Sequence, residues 1–508
     1  MDKNTIDPAK SIPTFYAGQS IFLTGATGFL GKVYIEKILR SCPDVREIFV
    51  LMRPKKGLNL NERLEKMLNL PLFDKLREEQ SSSFKKLILV SGDISQENLD
   101  LSAVDRQMLT ERVTIIIHSG ASVKFNDSLK YAILTNTRST RDICILAESM
   151  KNLVALVYVS TAYTHLDNPF IEEKIYPPVA DWRKMIKVAE SLDEYILSIF
   201  TAKCLNNIPN TYIFSKNLAE NVIQEYSSSL PCAIVRPSIV LSSLKDPIPG
   251  WIDNFNGPIG LGAATGKGLL KVACASNDTF NNNIPIDTVI NTIILVTWKL
   301  GLKTFTPDST LFVVNCTFPD ENNMLIMREL CNMMIRFSEE IPCEGVLWTP
   351  SILLTESLIM HYVLTILWHI LPAILIDLLL KLLGHQPVVL GLQRKVYVTN
   401  RALQHFLCNE WKFDNTNSRD LMSLIPSSNR EMFSIDLSDF DMEKYYRNAL
   451  IGAKKYLLHE DMNRIDAAKA HRKRVDLFVA IFKIIMAIGM LWMVYKWIFL
   501  NILDPTDL

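Results

Sequence analysis

At 508 residues the chain is too long for one small domain and calls for two to four folding units. Its 54 basic residues balance 54 acidic ones, so it carries no electrostatic footprint for nucleic acid or another polyanion. Hydrophobic residues make up 48% and the mean hydropathy is +0.14, and the apolar surplus lies late in the chain, in 352–383 and 477–503.

In chain order, "QSIFLTG" predicts a short buried strand ending in a turn, and "FLGKVYIEKILRSC" follows with helical apolar spacing. "REIFVLMRP" predicts a second strand closed by Pro54, "NERLEKMLN" a polar helix, and "KKLILVSGDI" a third strand. "VTIIIHSGAS", "NLVALVYVSTAY" and "CAIVRPSIVL" predict the fourth, fifth and sixth strands. Strands alternating with helices, each strand a continuous apolar run, predict a doubly wound parallel α/β sheet of the Rossmann type, covered on both faces. Beyond about residue 245 the pattern loosens, and "DPIPGWIDNFNGPIGLGAATGKG" is expected to be an irregular active-site loop. Its "GLGAATGKG" does not qualify as a phosphate loop, because Gly268 follows Lys267 where Ser or Thr is required.

The nine cysteines are scattered, with no C-x-x-C pair and no His/Cys cluster, which points to reduced thiols facing the cytosol and to no metal site. "MDKNTIDPAK" is polar and does not have the form of a cleavable signal peptide, and "DPTDL" is not a peroxisomal address.

The first turn carries "TGATGFLGK", with Gly25, Gly28 and Gly31 between a strand and a helix. In that context glycines let the backbone turn tightly and approach a pyrophosphate, whose charge rests on the helix N-terminus. Thr24, Thr27, Phe29 and Leu30 share the turn. Versions that take NAD place a carboxylate after the second strand. Here "VLMRPKK" supplies Arg53, Lys55 and Lys56, which suit a 2′-phosphate and hence NADPH. Asp93, after the third strand, is placed to meet the adenine edge.

"TYIFSKNLAE" holds Tyr212 and Lys216 four apart, on one face of a helix. A free phenol titrates near 10, and an adjacent ammonium with a nicotinamide cation favours the phenolate, so Tyr212 can give a proton to a carbonyl oxygen as hydride reaches carbon. Lys216 would also hold the nicotinamide ribose. "YVSTAY" ends the fifth strand with Ser160 and Thr161 at the carboxyl edge, where open α/β sheets bind ligands. Glycine turn, hydroxyl strand end and Y-x-x-x-K follow the order of the extended short-chain dehydrogenase/reductases. By analogy with them Thr161 is the catalytic hydroxyl and Ser160 the reserve. The long Thr161–Tyr212 separation marks 177–209 as an insertion expected to shape a substrate pocket.

More narrowly, the sequence resembles the alcohol-forming fatty acyl-CoA reductases of animals, particularly insects. "TGATGFLGKV", "HSGASVKF", "YVSTAYTH", "YIFSKNLAE", "VRPSIV", "PGWIDNFNGPIG" and "IPIDTVIN" carry the resemblance, together with "NEWKFDNTN" and "KKYLLHED" further on. It spans nearly the whole chain. One departure is Gly120, where alanine is more usual. The resemblance implies that a long-chain acyl-CoA is reduced to a primary alcohol with two NADPH, through a hemithioacetal and an aldehyde and without a cysteine nucleophile. It also implies cofactor contacts at Ile94, Gly120, Ala121 and Pro237.

The implied organisation is a polar tail over 1–15, an NADPH-binding reductase domain over 16–345 and a helical C-terminal domain over 346–460. A basic linker over 461–475 and a membrane anchor over 476–503 follow. The segment 352–383 holds Glu356, His361, His369, Asp377 and Lys381. An amphipathic helix is expected from Pro372 to Gly384, either lying in a membrane interface or packing on the core. The stretch 477–503 follows "HRKR" and is apolar for about the ~20 residues a bilayer requires, with Trp492 and Trp497 for an interface and Lys483 and Lys496 as blemishes. The basic flank places the bulk of the chain in the cytosol, with the endoplasmic reticulum the default organelle and peroxisome or lipid droplet the alternatives. Expected partners are acyl-CoA and membrane lipid, and the oligomeric state stays open. A membrane-bound sterol dehydrogenase of the same superfamily would lack "NEWKFDNTN", and a non-catalytic NADPH-binding sensor would not need Thr161, Tyr212 and Lys216.

Overall fold

The computed structural model describes residues 7–54, 57–302, 311–319 and 324–498. The chain forms two compact units that interleave along the sequence. One is drawn from Met1–Asp253, Phe280–Met324 and Asn409–Ala449, the other from Asn254–Thr279, Leu325–Cys408 and Leu450–Leu508.

The first unit is built on a seven-stranded parallel sheet. Its strands are β1 (Ser20–Thr24), β2 (Glu47–Met52), β3 (Leu87–Ser91), β4 (Ile115–His118), β5 (Ala155–Val159), β6 (Cys232–Pro237) and β7 (Phe312–Cys316). Their spatial order is β7-β6-β5-β4-β1-β2-β3. The chain therefore reverses its direction of travel between β1 and β4, and such switch points open a crevice at the carboxyl ends of the strands. In register, Thr24 lies beside His118, His118 beside Tyr158, and Val159 beside Val235. β1, β2, β4, β5 and β6 are buried along their whole length, as continuous apolar runs require when helices cover both faces.

Six strands stand where the hydrophobic runs place them. The seventh, "FVVNC", lies in the region of loosened pattern and was not expected. "CAIVRPSIVL" is also not one strand. Pro237 has no N–H to give a ladder and ends β6, after which Ile239–Leu241 pairs with Asn283–Pro285 in a separate small sheet.

Helix α1 (Phe29–Ser41) follows the glycine turn, with Gly28 as its N-cap. The insertion folds as two helices, Trp182–Ser191 and Glu194–Leu205, which bury Trp182, Ile186, Ala189 and Leu197. Helix α2 (Thr211–Tyr226) begins where the Asn210 side chain accepts from the Ile213 N–H at 2.9 Å.

In the second unit, part of the expected irregular loop is a helix, Pro258–Gly266, with proline in its first turn. Its glycines hid it: a Cβ on Gly260 would stand 2.2 Å from the Phe255 carbonyl oxygen, so packing excludes a side chain there. Lys267 binds Glu460 and the Glu344 carbonyl, which makes it a cross-brace of this unit. Pro372 does not start a helix either. Helical conformation runs from Leu358–Thr365 through a wide π turn, Ile366–Ile370, into Leu371–Leu382. A proline ring inside a helix clashes with the carbonyl four residues earlier, and the wider turn just before Pro372 relieves that clash. Gly384 ends the helix at φ +80°, as expected. The stretch 461–475, expected as a linker, is not one over most of its length: from Ile465 it forms the start of one long helix, Ile465–Ile498.

Backbone also approaches backbone closely at the glycine turn. A Cβ on Gly31 would lie 2.4 Å from the Gly25 carbonyl oxygen and 2.5 Å from the Ala26 Cα. Because backbone cannot yield as a side chain can, Gly31→Ala is expected to destabilise this unit by about 2 kcal/mol, read as a lowered thermal midpoint.

Candidate active site

The carboxyl edge of β1 is closed by polar contacts. Gly25 has φ +74°, and a Cβ there would lie 2.8 Å from the Gly120 nitrogen, so the turn after β1 and the turn after β4 touch through bare backbone. The Gly120 N–H donates to Thr24 Oγ1 at 3.0 Å, and Ser119 Oγ donates to the Thr24 carbonyl at 2.8 Å. Thr24 Oγ1 meets His118 Nδ1 at 2.7 Å, and His118 Nε2 meets Thr140 Oγ1 at 3.1 Å. Thr140 spends its hydrogen on the Asn136 carbonyl, so Nε2 carries the His118 proton and Nδ1 accepts from Thr24. Burial, with Lys216 adding to it, pulls His118 down to about 3, which keeps the ring neutral. An alanine at 120 would press its Cβ to 3.0 Å from Thr24 Oγ1 and 3.2 Å from the Ile94 side chain. Gly120 thus fits the short spacing here.

Thr27 and Gly28 are exposed, and no side chain caps the first turn of α1. Open N–H groups at a helix start, with a floor that excludes side chains at Gly25 and Gly31, fit the phosphates of a dinucleotide. Phe29, beside Leu30 in the first turn of α1, stacks on Trp251 with ring centroids 5.5 Å apart, and Lys32 pairs with Asp253. The strap bearing these partners is fixed by Asp287. Its carboxylate accepts from the N–H groups of Leu244, Lys245 and Asp246 at 2.9, 2.8 and 3.1 Å.

Arg53 directly follows β2 and is exposed, with a guanidinium nitrogen 3.9 Å from Asp93 Oδ2. Asp93 Oδ1 accepts from the Ser95 N–H and hydroxyl, both at 2.9 Å, which orients the carboxylate beside Ile94. Lys55 and Lys56 lie outside the described residues.

At the end of β5, Thr161 Oγ1 lies 3.5 Å from the Pro237 carbonyl and 3.4 Å from the Tyr163 N–H, and its hydroxyl favours the charged form of the Tyr212 phenol. Ser160 Oγ is buried and has no hydrogen-bond partner. Tyr212 sits in the first turn of α2 and stacks on Phe125 at 5.8 Å. Burial pushes its phenol above the ordinary value of 10.0, against the influence of Thr161. The phenolate tendency argued from the sequence needs a neighbouring positive charge to outweigh this desolvation. The Lys216 ammonium donates instead to the Val159 carbonyl at 2.7 Å and lies 4.6 Å over the Tyr158 ring. Burial brings Lys216 down to about 7, with Glu220 opposing the fall. Ala121 is half-buried in the loop that leads to Phe125.

Sequence reasoning gave no role to the groups that hold α2. Arg236 and Glu220 form a buried bidentate pair at 2.8 and 2.7 Å, and Arg236 also donates to the carbonyls of Glu172 and Lys174. Although burial opposes it, the guanidinium holds Glu220 well below the carboxylate range. Asn136, on a π turn over Ile133–Arg138, donates to the Ser122 carbonyl at 3.0 Å and to Ser215 Oγ at 2.9 Å. Charged residues inside otherwise apolar motifs, "NLAE" and "VRPSIV", were the available signal. Among the described residues no cluster of His, Cys, Asp or Glu is arranged to hold a metal, and all nine cysteines are free.

Parallel order, glycine turn and Tyr–Lys helix define a reductase-type Rossmann fold of the extended short-chain dehydrogenase/reductase kind. Solved structures share the fold. The terminal R domain from the myxalamid PKS-NRPS biosynthetic pathway has a TM-score of 0.56 at 20% identity, covering 86% of this chain and 90% of that one. The reductase (R) domain of a non-ribosomal peptide synthetase from Mycobacterium tuberculosis has a TM-score of 0.57 at 16% identity, covering 90% and 96%. An NAD-binding family model described as "Male sterility protein" matches residues 23–293, and a second model with the same description matches 368–460. Fatty acyl-CoA reductase 1 of Xenopus laevis is 37% identical over 96% of this chain and 93% of its own length. The Homo sapiens protein of that name is 36% identical over the same shares. Fatty acyl-CoA reductase wat of Drosophila melanogaster is 33% identical over 91% and 89%. The chain belongs to the fatty acyl-CoA reductase family.

The Lys216 shift has a testable sign. Its folded value of about 7 lies below the ordinary 10.5, so between those values the unfolded chain binds a proton that the folded chain lacks. The fold therefore gains stability as pH rises through that window, and the cost is fully present below about pH 7. Lys216→Met is expected to raise the thermal midpoint most at neutral pH, with the advantage shrinking toward pH 10. An advantage that does not change with pH would contradict a buried, depressed lysine.

Proposed function

We propose that the chain reduces long-chain acyl-CoA thioesters to primary alcohols with NADPH. Membership in the family supports the substrate class, and the relatives' shared name supports the acyl-CoA. The observation that carries the chemistry is a protonated, half-buried Tyr212 whose phenol is influenced by Thr161, with Lys216 one turn on, at the carboxyl edge of β5.

NADPH, when bound, supplies hydride to the acyl carbon, two molecules per thioester. The backbone at Gly25, Gly28 and Gly31 would hold its pyrophosphate, with Thr24, Thr27, Phe29 and Leu30 framing the turn. Arg53 would take the 2′-phosphate. Asp93 and Ile94 would face the adenine side, Gly120 and Ala121 the middle, and Pro237 and Lys216 the nicotinamide side. Tyr212 and Thr161 hold the thioester oxygen and stabilise the charge that develops on it, which gives a hemithioacetal once Tyr212 has delivered its proton. The carbon–sulfur bond then breaks, the carbonyl re-forms as an aldehyde, and CoA leaves as the thiol. Tyr212, reprotonated from solvent, gives a second proton to the aldehyde oxygen. Overall, thioester, two NADPH and two protons become alcohol, CoA thiol and two NADP⁺. The insertion over 177–209 would border the acyl chain.

The two apolar helices support a membrane-bound enzyme. Leu358–Leu382 and Met462–Trp497 are long and apolar enough to cross a bilayer by length and composition, each containing an 18-residue window of high mean hydropathy, 2.3 and 2.4. The second contains most of the anchor expected over 476–503, of which 499–503 lie outside the described residues.

Tyr212→Phe should lower the rate of acyl-CoA reduction about 100-fold or more while NADPH binding persists, measured by alcohol formation and by cofactor fluorescence. Thr161→Val should follow it, whereas Ser160→Ala should not. The reverse ranking would reassign the catalytic hydroxyl. Arg53→Ala should weaken NADPH about tenfold or more and leave NADH nearly unchanged. Equal weakening of both would remove Arg53 from the 2′-phosphate.

A further inference from the structure

The helix over Leu358–Leu382 is built inside out for a water-soluble protein. His361, Thr365, His369 and Ala373, spaced four apart, are its buried residues. His361 stacks on Tyr397 at 5.9 Å, and His369 Nε2 accepts from the Lys271 N–H at 2.8 Å. The opposite face is apolar over the whole length. It runs through Ile359, Val363, Leu367, Leu371, Leu375 and Leu382, with Ile359 79% and Leu382 75% exposed. Tyr362 and Trp368 stand exposed along the same helix. Soluble proteins rarely leave such a stripe in water, and Tyr and Trp favour the membrane interface.

One acidic side chain interrupts the apolar run, and its charge is consumed locally. The Asp377 carboxylate accepts from the N–H groups of Val388, Val389 and Leu390, each at 2.9 Å, and so caps the returning helix Val389–Leu407. Internal satisfaction of backbone donors is what a nonpolar solvent requires. Arg394 and Lys395 are exposed just past this cap, where ammonium and guanidinium groups can reach headgroups.

The position of the helix is set by the anchor. Within this unit the long helix packs on the body up to Phe482, whose ring meets Trp348 at 5.8 Å, with Thr349 Oγ1 bonded to Asp476 at 2.6 Å. Lys271 lies over the Trp348 ring at 5.7 Å, and its backbone N–H is the one that binds His369. Anchor exit and apolar helix therefore meet at one residue, Lys271. We propose that Leu358–Leu382 lies in the plane of the bilayer surface that the anchor crosses, with its apolar stripe among the upper acyl chains. Crossing is excluded by the inner face. A spanning orientation would carry the histidine face and the body it packs on, with the Lys267–Glu460 pair, into hydrocarbon. The inference rests on the anchor reading above.

The test uses the full chain in phosphatidylcholine–phosphatidylserine vesicles. A photoreactive benzoylphenylalanine replaces Val363, Leu375 or, on the anchor, Ile488, all exposed positions. After illumination, mass spectrometry identifies the adducts and the acyl carbon attacked. Expected are lipid adducts at all three, with Val363 and Leu375 at the same depth. Depths that differ by about 18 Å, twelve residues at 1.5 Å, would mark a spanning helix and overturn the proposal. Lipid adducts at Ile488 alone overturn it too, whether the other two probes react with a second copy of the chain or only with water. Lipid adducts at Val363 and Leu375 but not at Ile488 uphold the in-plane helix and remove the anchor. No lipid adduct anywhere removes both.

Discussion

The placement of the candidate catalytic helix depends on one buried ion pair. Glu220 and Arg236 are both shut off from water, and two such charges survive there only when nearly every hydrogen-bonding position is used. Arg236 meets that demand by binding both Glu220 oxygens and the carbonyls of Glu172 and Lys174. The pair thereby fastens α2 to β6 and to the segment that leads into the insertion. Removing either partner would strand a charge at a cost of about 3–5 kcal/mol. Glu220 is one helical turn from Lys216 and two from Tyr212, so fixing it fixes the rotation of the helix about its axis. Its negative charge also opposes the fall of Lys216, which burial brings down to about 7.

A second network fixes the other side of the crevice without charge. Thr24, His118, Thr140 and Asn136 form a chain in which every hydroxyl gives one proton and takes one. The chain works only with a neutral imidazole, because a second ring proton would take the Nδ1 lone pair that accepts from Thr24 Oγ1. Burial secures that neutrality. The glycine turn is thus held against the β4 turn by a tautomer, and the short contact between Gly25 and Gly120 follows from it. Asn136 also reaches Ser215, the residue before Lys216, so the two sides of the crevice are linked through one side-chain amide.

Much of the first unit was legible because its physics is periodic. Continuous apolar runs separated by crossovers specify a parallel sheet, and glycine between strand and helix marks the switch point. What escaped was set by partners distant in sequence. "FVVNC" lies beyond the alternation of strands and helices that marks the others, and becomes a strand by pairing with β6. The break after Pro237 depends on Asn283–Pro285 being available to pair with Ile239–Leu241. Candidate site residues carried by spacing, Tyr212 and Lys216, fall on one helix face as the interval requires. Glu220, Arg236, His118 and Asn136 carried no such interval. Their importance lies in burial, and a sequence does not display burial for a polar residue. The Lys216 ammonium, turned to the Val159 carbonyl, was likewise beyond what spacing conveys.

The second unit shows the complementary limit. Apolar periodicity reports that one face of a helix differs from the other, and by itself it does not say which face meets the protein. In the first unit the apolar faces point inward, and α1 buries Val33, Ile35, Ile38 and Leu39. In Leu358–Leu382 the polar stripe points inward, because His361 and His369 find an aromatic ring and a backbone N–H there. Asp377 and Lys381, four apart, look from the sequence like one solvated face. Asp377 is instead spent on three backbone donors of the next helix, and Lys381 alone of the two is exposed. A folded body whose internal partners are polar leaves its leucines to the solvent, and that arrangement is stable only when the solvent is itself apolar.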